Sequence, residues 1–435
     1  MSQEIIKHLE DGLILRRAKS EDTEELVTFN SEIHKYDRED EPNEFIAAWV
    51  RDLMTKPHPK FKPEDFTVVV DAKTNQIVSS MNLIPQTWCY EGVEFEVGRP
   101  ELVGTAPEYR HRGLIREQFD VMHKWSSDRG HVMQAITGIP YYYRQFGYEM
   151  CLNLGGSHIG YQPHIPKLAD DEEEEFTFKS ATKDDIHFIS EIYEDYVKRS
   201  MISCVMRNRH WEYELFIKSE KARPVFKIIQ STGGEPVGLI RHAPQMWGYE
   251  LKPGVSYLKV TPSVIRYLEI TGKEYAEKKE KIEFQGYSFN LGAAHPVFDA
   301  LPERMPRQGN PYAWYIRIPD LAGFLIHVSS ALEKRLNESP AVGHSGDLKM
   351  NFYKSALKLV FDEGLLTKVE PYKLENADDG DVFYPDLTFL QALTGYKSFD
   401  ELADFYPDCY AKNDHGRALA KFLFPKKSSN VWAIN

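Results

Sequence analysis

The stretch Val103-Gly-Thr-Ala-Pro-Glu-Tyr-Arg-His-Arg-Gly-Leu-Ile-Arg-Glu-Gln-Phe119 constrains the fold more than any other part of this chain. The residues leading into it, Val93 to Thr105, include Phe95, Val97, Leu102 and Val103 and suit a strand. Pro100 is expected to interrupt that strand, and Pro107 to end its ladder by removing a donor. Ile115, Phe119 and Met122 then recur at helical spacing, which predicts a helix opening near Arg112 with that face buried. A helix start offers unpaired N–H groups and the positive end of the helix dipole. Gly113 lets a bulky anion approach the backbone there, so strand, turn and helix together describe a pyrophosphate seat. The chain carries a formal charge of -13, so Arg110, Arg112 and Arg116 run against its own bias. They call for an anionic partner or are an accident of the surface.

Arg110-His-Arg-Gly113-Leu-Ile115 resembles the acetyl-CoA signature Arg/Gln-x-x-Gly-x-Gly/Ala of the GCN5-related N-acetyltransferases. It departs at the last position, where Ile115 replaces a small residue; the Eis-type (enhanced intracellular survival) branch similarly reads Arg-Gly-Leu-Leu there. Length and order of parts are similar to that branch too. The resemblance implies acetyl-CoA as co-substrate. Its pantetheine would be held by the backbone near Val103 and Thr105, where this strand parts from the next. Its pyrophosphate would be surrounded by Arg110, His111, Arg112, Gly113, Leu114 and Ile115, with Arg116 either a further contact or a surface charge.

Pro140-Tyr-Tyr-Tyr-Arg-Gln-Phe-Gly-Tyr148 reads alone as amphipathic aromatic packing. It is similar, however, to the Tyr-x-x-Phe-Gly-Tyr/Phe pattern that follows the fifth strand of N-acetyltransferases, which makes Tyr143 the candidate general acid, with Tyr141 and Tyr142 as competitors. A phenol of pKa about 10 keeps its proton at neutral pH and can pass it to a departing thiolate, whose reference value is about 8.5. An ammonium acceptor must also lose a proton, and no carboxylate of the first segment declares itself by spacing. Glu101, two residues before Val103, sits by resemblance where many relatives of the fold place a carboxylate, but reads first as a solvated strand residue. The Eis-type resemblance implies the terminal carboxylate, here that of Asn435, as base. Phe422-Leu-Phe-Pro followed by a polar stretch and Val431-Trp-Ala-Ile434 is a tail that something buries.

A chain of 435 residues accommodates roughly three domains. Residues 1–162 alternate strands and helices. A helix is expected over Asn43–Met54, with Phe45, Trp49 and Leu53 on one face that packs in the core or, as the alternative, walls a substrate. Residues 163–175, with two prolines and six consecutive acids, read as a solvated acidic linker. Residues 176–317 give a second α/β pattern in which Tyr257-Leu-Lys-Val260 is followed by no glycine and a single Arg266, so this unit lacks a CoA seat. By resemblance it is a degenerate second acetyltransferase fold. Residues 318–435 open with an amphipathic helix over Ile318–Leu336 and complete an α/β unit similar to the sterol-carrier-like domain of Eis-type chains. There an apolar groove would house the tail. The fold class is thus α/β (α+β): tandem acetyltransferase folds followed by a sterol-carrier-like domain.

Cys89, Cys151, Cys204 and Cys409 follow no metal or disulfide spacing, which predicts reduced thiols, no metal site and a cytoplasmic setting. No apolar run approaches membrane-span length. The acidic balance argues against nucleic acid as partner. The expected activity is transfer of an acetyl group to a primary amine: an aminoglycoside, a polyamine, another small amine or a protein lysine. The competing reading is a non-catalytic CoA-binding, lipid-binding or carrier module with a vestigial site. Transfer of a bulkier acyl group and assembly into homo-oligomers both stay open.

Overall fold

The computed structural model of the chain describes residues 5–35, 41–243, 245–278 and 283–432. Its first unit is built from β1 (Ile5–His8), β2 (Leu13–Arg17), α1 (Thr23–Ile33), α2 (Glu44–Thr55), β3 (Phe66–Asp71), β4 (Gln76–Tyr90), β5 (Val93–Thr105), α3 (Leu114–Asp128), β6 (Met133–Ile136) and β7 (Glu149–Leu154). Antiparallel pairing joins β1 through β5 in order. Burial alternates across this sheet: Phe66, Val68 and Val70 pack with α1 and α2, while Val69 packs with Leu114 of α3 on the other face.

Pro100 does not interrupt β5. It pairs with Leu83 of β4 and lies beyond Gly98, the last residue of β5 paired with β6, so on that side it removes no ladder hydrogen bond. The parallel contact between β5 and β6 is confined to Val97 with Met133 and Gly98 with Gln134, after which the strands part as expected. A bulge follows: Ser80 faces Gly104 and Asn82 faces Glu101, so Met81 meets both Leu102 and Val103. Leu102 takes φ of 53°, a conformation an L-residue adopts only where its surroundings hold it. The two side chains then point to opposite faces, Leu102 into the α1/α2 core and Val103 toward Phe119 and Tyr143.

The expected boundaries change in one respect. The second sheet contains β8 (Ser157–Tyr161), β9 (Phe176–Ser180), β11 (Val225–Ser231), β12 (Pro236–Ala243), β13 (Gln245–Leu251), β14 (Gly286–Asn290) and β15 (Arg307–Gly309). So residues 157–161, counted with the first unit, pair in the second sheet. Conversely, β16 (Tyr312–Arg317), counted with the second unit, lies between β6 and β7 of the first sheet, and β10 (Ile202–Cys204) pairs with β4. Each unit lends strands to the other.

The acidic linker is not wholly solvated. Glu174 pairs with Arg266 and accepts from Ser263, and Glu175 meets Lys259 at 3.1 Å. Tyr257–Val260 is the start of a helix, Tyr257–Lys278, rather than a strand. The loop in the position of a phosphate seat is therefore Lys252–Ser256, which does hold a glycine, Gly254 at φ +84°. Beside it Glu250 is filled in by Arg199 at 2.7 Å, His295 at 3.3 Å and the Tyr257 hydroxyl at 3.4 Å.

The expected helix over Ile318–Leu336 is two helices, Leu321–His327 and Ser329–Asn337. A five-stranded sheet follows. This third unit shares one core with the first: Trp88, Tyr90 and Phe95 pack with Phe324, Leu325 and Phe389. The tail runs along this junction. Asn430 bridges Asn153 of β7, Val431 joins the shared core, and Trp432 packs against Tyr193 and Tyr196, each at 5.3 Å between ring centroids. Tyr196 donates from its hydroxyl to the Asn430 carbonyl, and Trp314 donates from Nε1 to that of Val431 at 3.4 Å. The tail is buried between units rather than in a groove of the third alone.

Candidate active site

The wedge left by the parting of β5 and β6 opens into a cleft of about 1000 Å³. Its walls come from both faces of the sheet: Ile33, His34, Ile46 and Trp49 from α1 and α2 on one side, and the start of α3 with the turn after β6 on the other. A ligand held on the α3 face thus reaches through the sheet to the α1/α2 face.

The turn into α3 has the features of an anion seat. His111 and Gly113 both take positive φ, 62° and 75°, and α3 begins at Leu114 with no side chain capping its first N–H groups. Those groups are left to a ligand. Nothing lies within 4 Å of the position a Cβ would take on Gly113. Val103, Thr105, Arg110, His111, Arg112, Gly113, Leu114 and Ile115 all line the cleft, as does Arg116. Their roles differ. Arg112 is tied to Asp11 at 2.7 Å, and Arg110 donates from Nε to the Thr105 carbonyl at 3.3 Å. Arg116 donates to Gln145 at 3.1 Å. Leu114 is buried, and Ile115 packs against the cluster of Phe119 and Met122. Among the described residues Arg110 and Arg116 meet no carboxylate, which leaves their charge to an outside anion.

Tyr143 sits on a single 3-10 turn, Tyr142–Phe146, bracketed by Tyr141 at φ 63° and Gly147 at φ 83°. The exchanged strand fixes this turn, since the Tyr141 N–H donates to the Tyr315 hydroxyl of β16 at 2.6 Å. Tyr143 is 3% exposed and lines the cleft, packed among Phe119, Tyr142 and Tyr315. Burial, then the charge of Glu101, push its phenol well above the usual range. Of its competitors, Tyr141 is 71% exposed and does not line the cleft; Tyr142 does.

Glu101 overturns the reading of a solvated strand residue. It is 9% exposed and is the one carboxylate among the described residues that line the cleft. Burial raises its pKa against the opposing pull of Arg99, whose Nη2 donates to Oε1 at 2.5 Å. One signal in the sequence pointed to it: Arg99 and Glu101 stand two apart on an apolar strand, on one face, as a buried ion pair would. Trp49 is buried and lines the cleft as well, so both readings of its helix face hold for it, and His34 lines the cleft with no sequence signal to mark it. Phe45, expected in the core with Trp49 and Leu53, is 46% exposed. Asn435 lies outside the described residues, and no described residue of the tail lines the cleft.

Among the described residues no group of three or more His, Cys, Asp or Glu side chains is placed to hold a metal ion, and no helix is long and apolar enough to cross a membrane.

Comparison with known proteins agrees with this geometry. Residues 15–151 match the model of the acetyltransferase (GNAT) domain. Among curated proteins none matches the sequence. Of solved structures, a probable N-acyltransferase from Enterococcus faecalis V583 superposes with TM-score 0.62 at 15% identity, over 96% of this chain and 97% of that one. A GCN5-related N-acetyltransferase from Anabaena variabilis gives 0.62 at 13% identity, over 96% and 99%. Eis1 from Mycobacterium abscessus gives 0.59 at 10% identity, again over 96% and 99%. At such identities the likeness speaks for the fold, and it runs through all three units. Residues 15–151 are thus a GNAT acetyltransferase domain, set in a chain whose full-length fold is shared with Eis1 and these N-acyltransferase structures.

Proposed function

We propose that the chain is an N-acetyltransferase that moves an acetyl group from acetyl-CoA to a primary amine by direct attack. One observation carries the reading: a single cleft joins an uncapped helix start, two arginines that meet no carboxylate among the described residues, an unpaired strand edge, a buried phenol and a buried carboxylate.

In this reading the N–H groups at the start of α3, with Arg110 and Arg116, hold the pyrophosphate. The open edge of β5 near Val103 and Thr105 hydrogen-bonds the amides of pantetheine as an added strand would. That directs the thioester toward Tyr143. Glu101 takes a proton from the acceptor ammonium, whose reference pKa near 10.4 keeps it charged at neutral pH. The free amine attacks the carbonyl carbon, a C–N bond forms, the C–S bond breaks, Tyr143 gives its proton to the departing sulfur, and the proton that the new amide nitrogen sheds restores the phenol by way of solvent. The phenol suits this role because its surroundings hold its proton. Glu101 is taken as the base because it is the carboxylate among the described residues that lines the cleft.

Isothermal titration with acetyl-CoA tests the seat. Wild type should bind, Arg110→Ala should bind about tenfold more weakly, in line with the loss of one charge-assisted contact, and Gly113→Glu should not bind. Equal affinity in all three would refute the reading. A panel of kanamycin, spermidine, tyramine and a lysine peptide, followed by thiol release, identifies the acceptor.

A further inference from the structure

Arg99 does not line the cleft, yet it is bound to the cleft's carboxylate. It is 2% exposed and ranks among the largest fully buried side chains of the described residues. Its guanidinium lies 4.8 Å from the ring centroid of Trp314, which is wholly buried and packs edge-on against Trp88 at 5.5 Å. Trp314 belongs to β16, the exchanged strand, and its Nε1 holds the Val431 carbonyl of the tail. All three units therefore hold the guanidinium in place: β5 bears it, β16 lies over it, and the tail secures β16.

Burying an arginine beside a carboxylate is a costly way to gain stability, because well-packed apolar side chains of similar volume often serve as well. The pair needs another reason. Arg99 donates to Oε1 of Glu101, and Glu101 itself lines the cleft. Among the described residues Arg99, from its own strand, acts on Glu101, and the charge of Glu101 acts in turn on the Tyr143 phenol of the turn across the cleft. Arg99 also acts on the Cys204 thiol of β10.

We propose that Arg99 is a positioning residue for acyl transfer: it holds Oε1 of Glu101 so that the carboxylate presents Oε2 to the acceptor ammonium. This rests on the reading of Glu101 as the base. The proton moves from the ammonium nitrogen to Oε2, giving a neutral amine and a carboxylic acid that returns the proton to solvent. Arg99 stays charged throughout and touches neither substrate.

The carboxyl can be titrated without knowing the acceptor, by infrared difference spectroscopy of the full chain against Glu101→Gln. Arg99→Met, close in shape, should raise the carboxyl's pKa by about 1 to 3 pH units, the usual effect of a neighbouring arginine. Arg99→Lys, which keeps the charge, should stay within about one unit of wild type. In pH profiles of kcat/KM, taken with the amines of the panel that are turned over, the acid limb should move upward by the same amount in Arg99→Met and the rate should recover at alkaline pH. Thermal unfolding of each variant separates misfolding from mistuning, and Arg99→Lys serves if Arg99→Met does not fold. An unshifted carboxyl in the charge-removing variant, or equal loss of rate at every pH, would overturn the proposal. Full activity of Glu101→Gln would instead overturn Glu101 as base while leaving the coupling between the two side chains measurable.

Discussion

Replacing Tyr143 by Phe should separate stability from activity. The phenol is 3% exposed and borders the cleft. A hydroxyl sealed from water without a partner would cost about 1–3 kcal/mol. Because this one borders the cleft, the gain on removing it should lie at the low end, at most about 1 kcal/mol. The ring contacts with Phe119, Tyr142 and Tyr315 survive in phenylalanine. The variant should therefore unfold at the same denaturant concentration as wild type, or a little higher. Its turnover should fall about 10²- to 10⁴-fold, the usual contribution of a general acid, equivalent to about 3–5 kcal/mol of barrier. Acetyl-CoA affinity by titration should stay within about twofold, since the seat lies on α3 rather than on this turn. Burial and the Glu101 charge both hold the proton on Tyr143, so wild-type rate should show no alkaline loss from this group below about pH 10. Thiol release from acetyl-CoA under saturating amine measures kcat directly. An unchanged kcat would refute Tyr143 as the acid and move the role to Tyr142, the other tyrosine of the turn that lines the cleft.

Two further predictions concern the tail. Deleting Ala433 to Asn435 should leave kcat within about threefold if Glu101 is the base; a loss approaching that of Glu101→Gln would return the role to the terminal carboxylate. Trp432→Ala should cost about 3–5 kcal/mol by chemical denaturation, because the indole is 5% exposed among Tyr193, Tyr196 and Trp211, and a loss under 1 kcal/mol would mean that the tail does not hold the units together.

What could be read from the sequence was local. Arg110 to Ile115 announce a seat because a turn, a glycine and a helix start lie within seven residues, and Tyr143 belongs to a short aromatic pattern. Glu101 is only half legible: its spacing from Arg99 hints at a buried pair, but the bulge at Leu102 that follows it comes from pairing with β4, which propensity does not supply. The boundaries failed for a similar reason. Residues 312–317 read as a strand equally well in either sheet, and only pairing with Gln134 to Ile136 on one side and Glu149 to Leu154 on the other settles which. Lys252 to Ser256 does not stand out as a loop because Tyr257–Val260 has strand-like composition, although its continuation through residue 278 is helical.

The loan of β16 to the first sheet fixes when catalytic competence can arise. As the chain emerges from the ribosome, residues 15–151 are complete long before residue 317 exists, yet the hydroxyl that anchors the tyrosine turn, Tyr315, arrives only then. A nascent or truncated product ending near residue 162 would carry every signature motif and still lack the strand that closes its own sheet. Gene fragments cut at the apparent domain border should yield insoluble protein, and any splitting of this polypeptide that keeps its units working must cut elsewhere, in an exposed connection that no strand crosses.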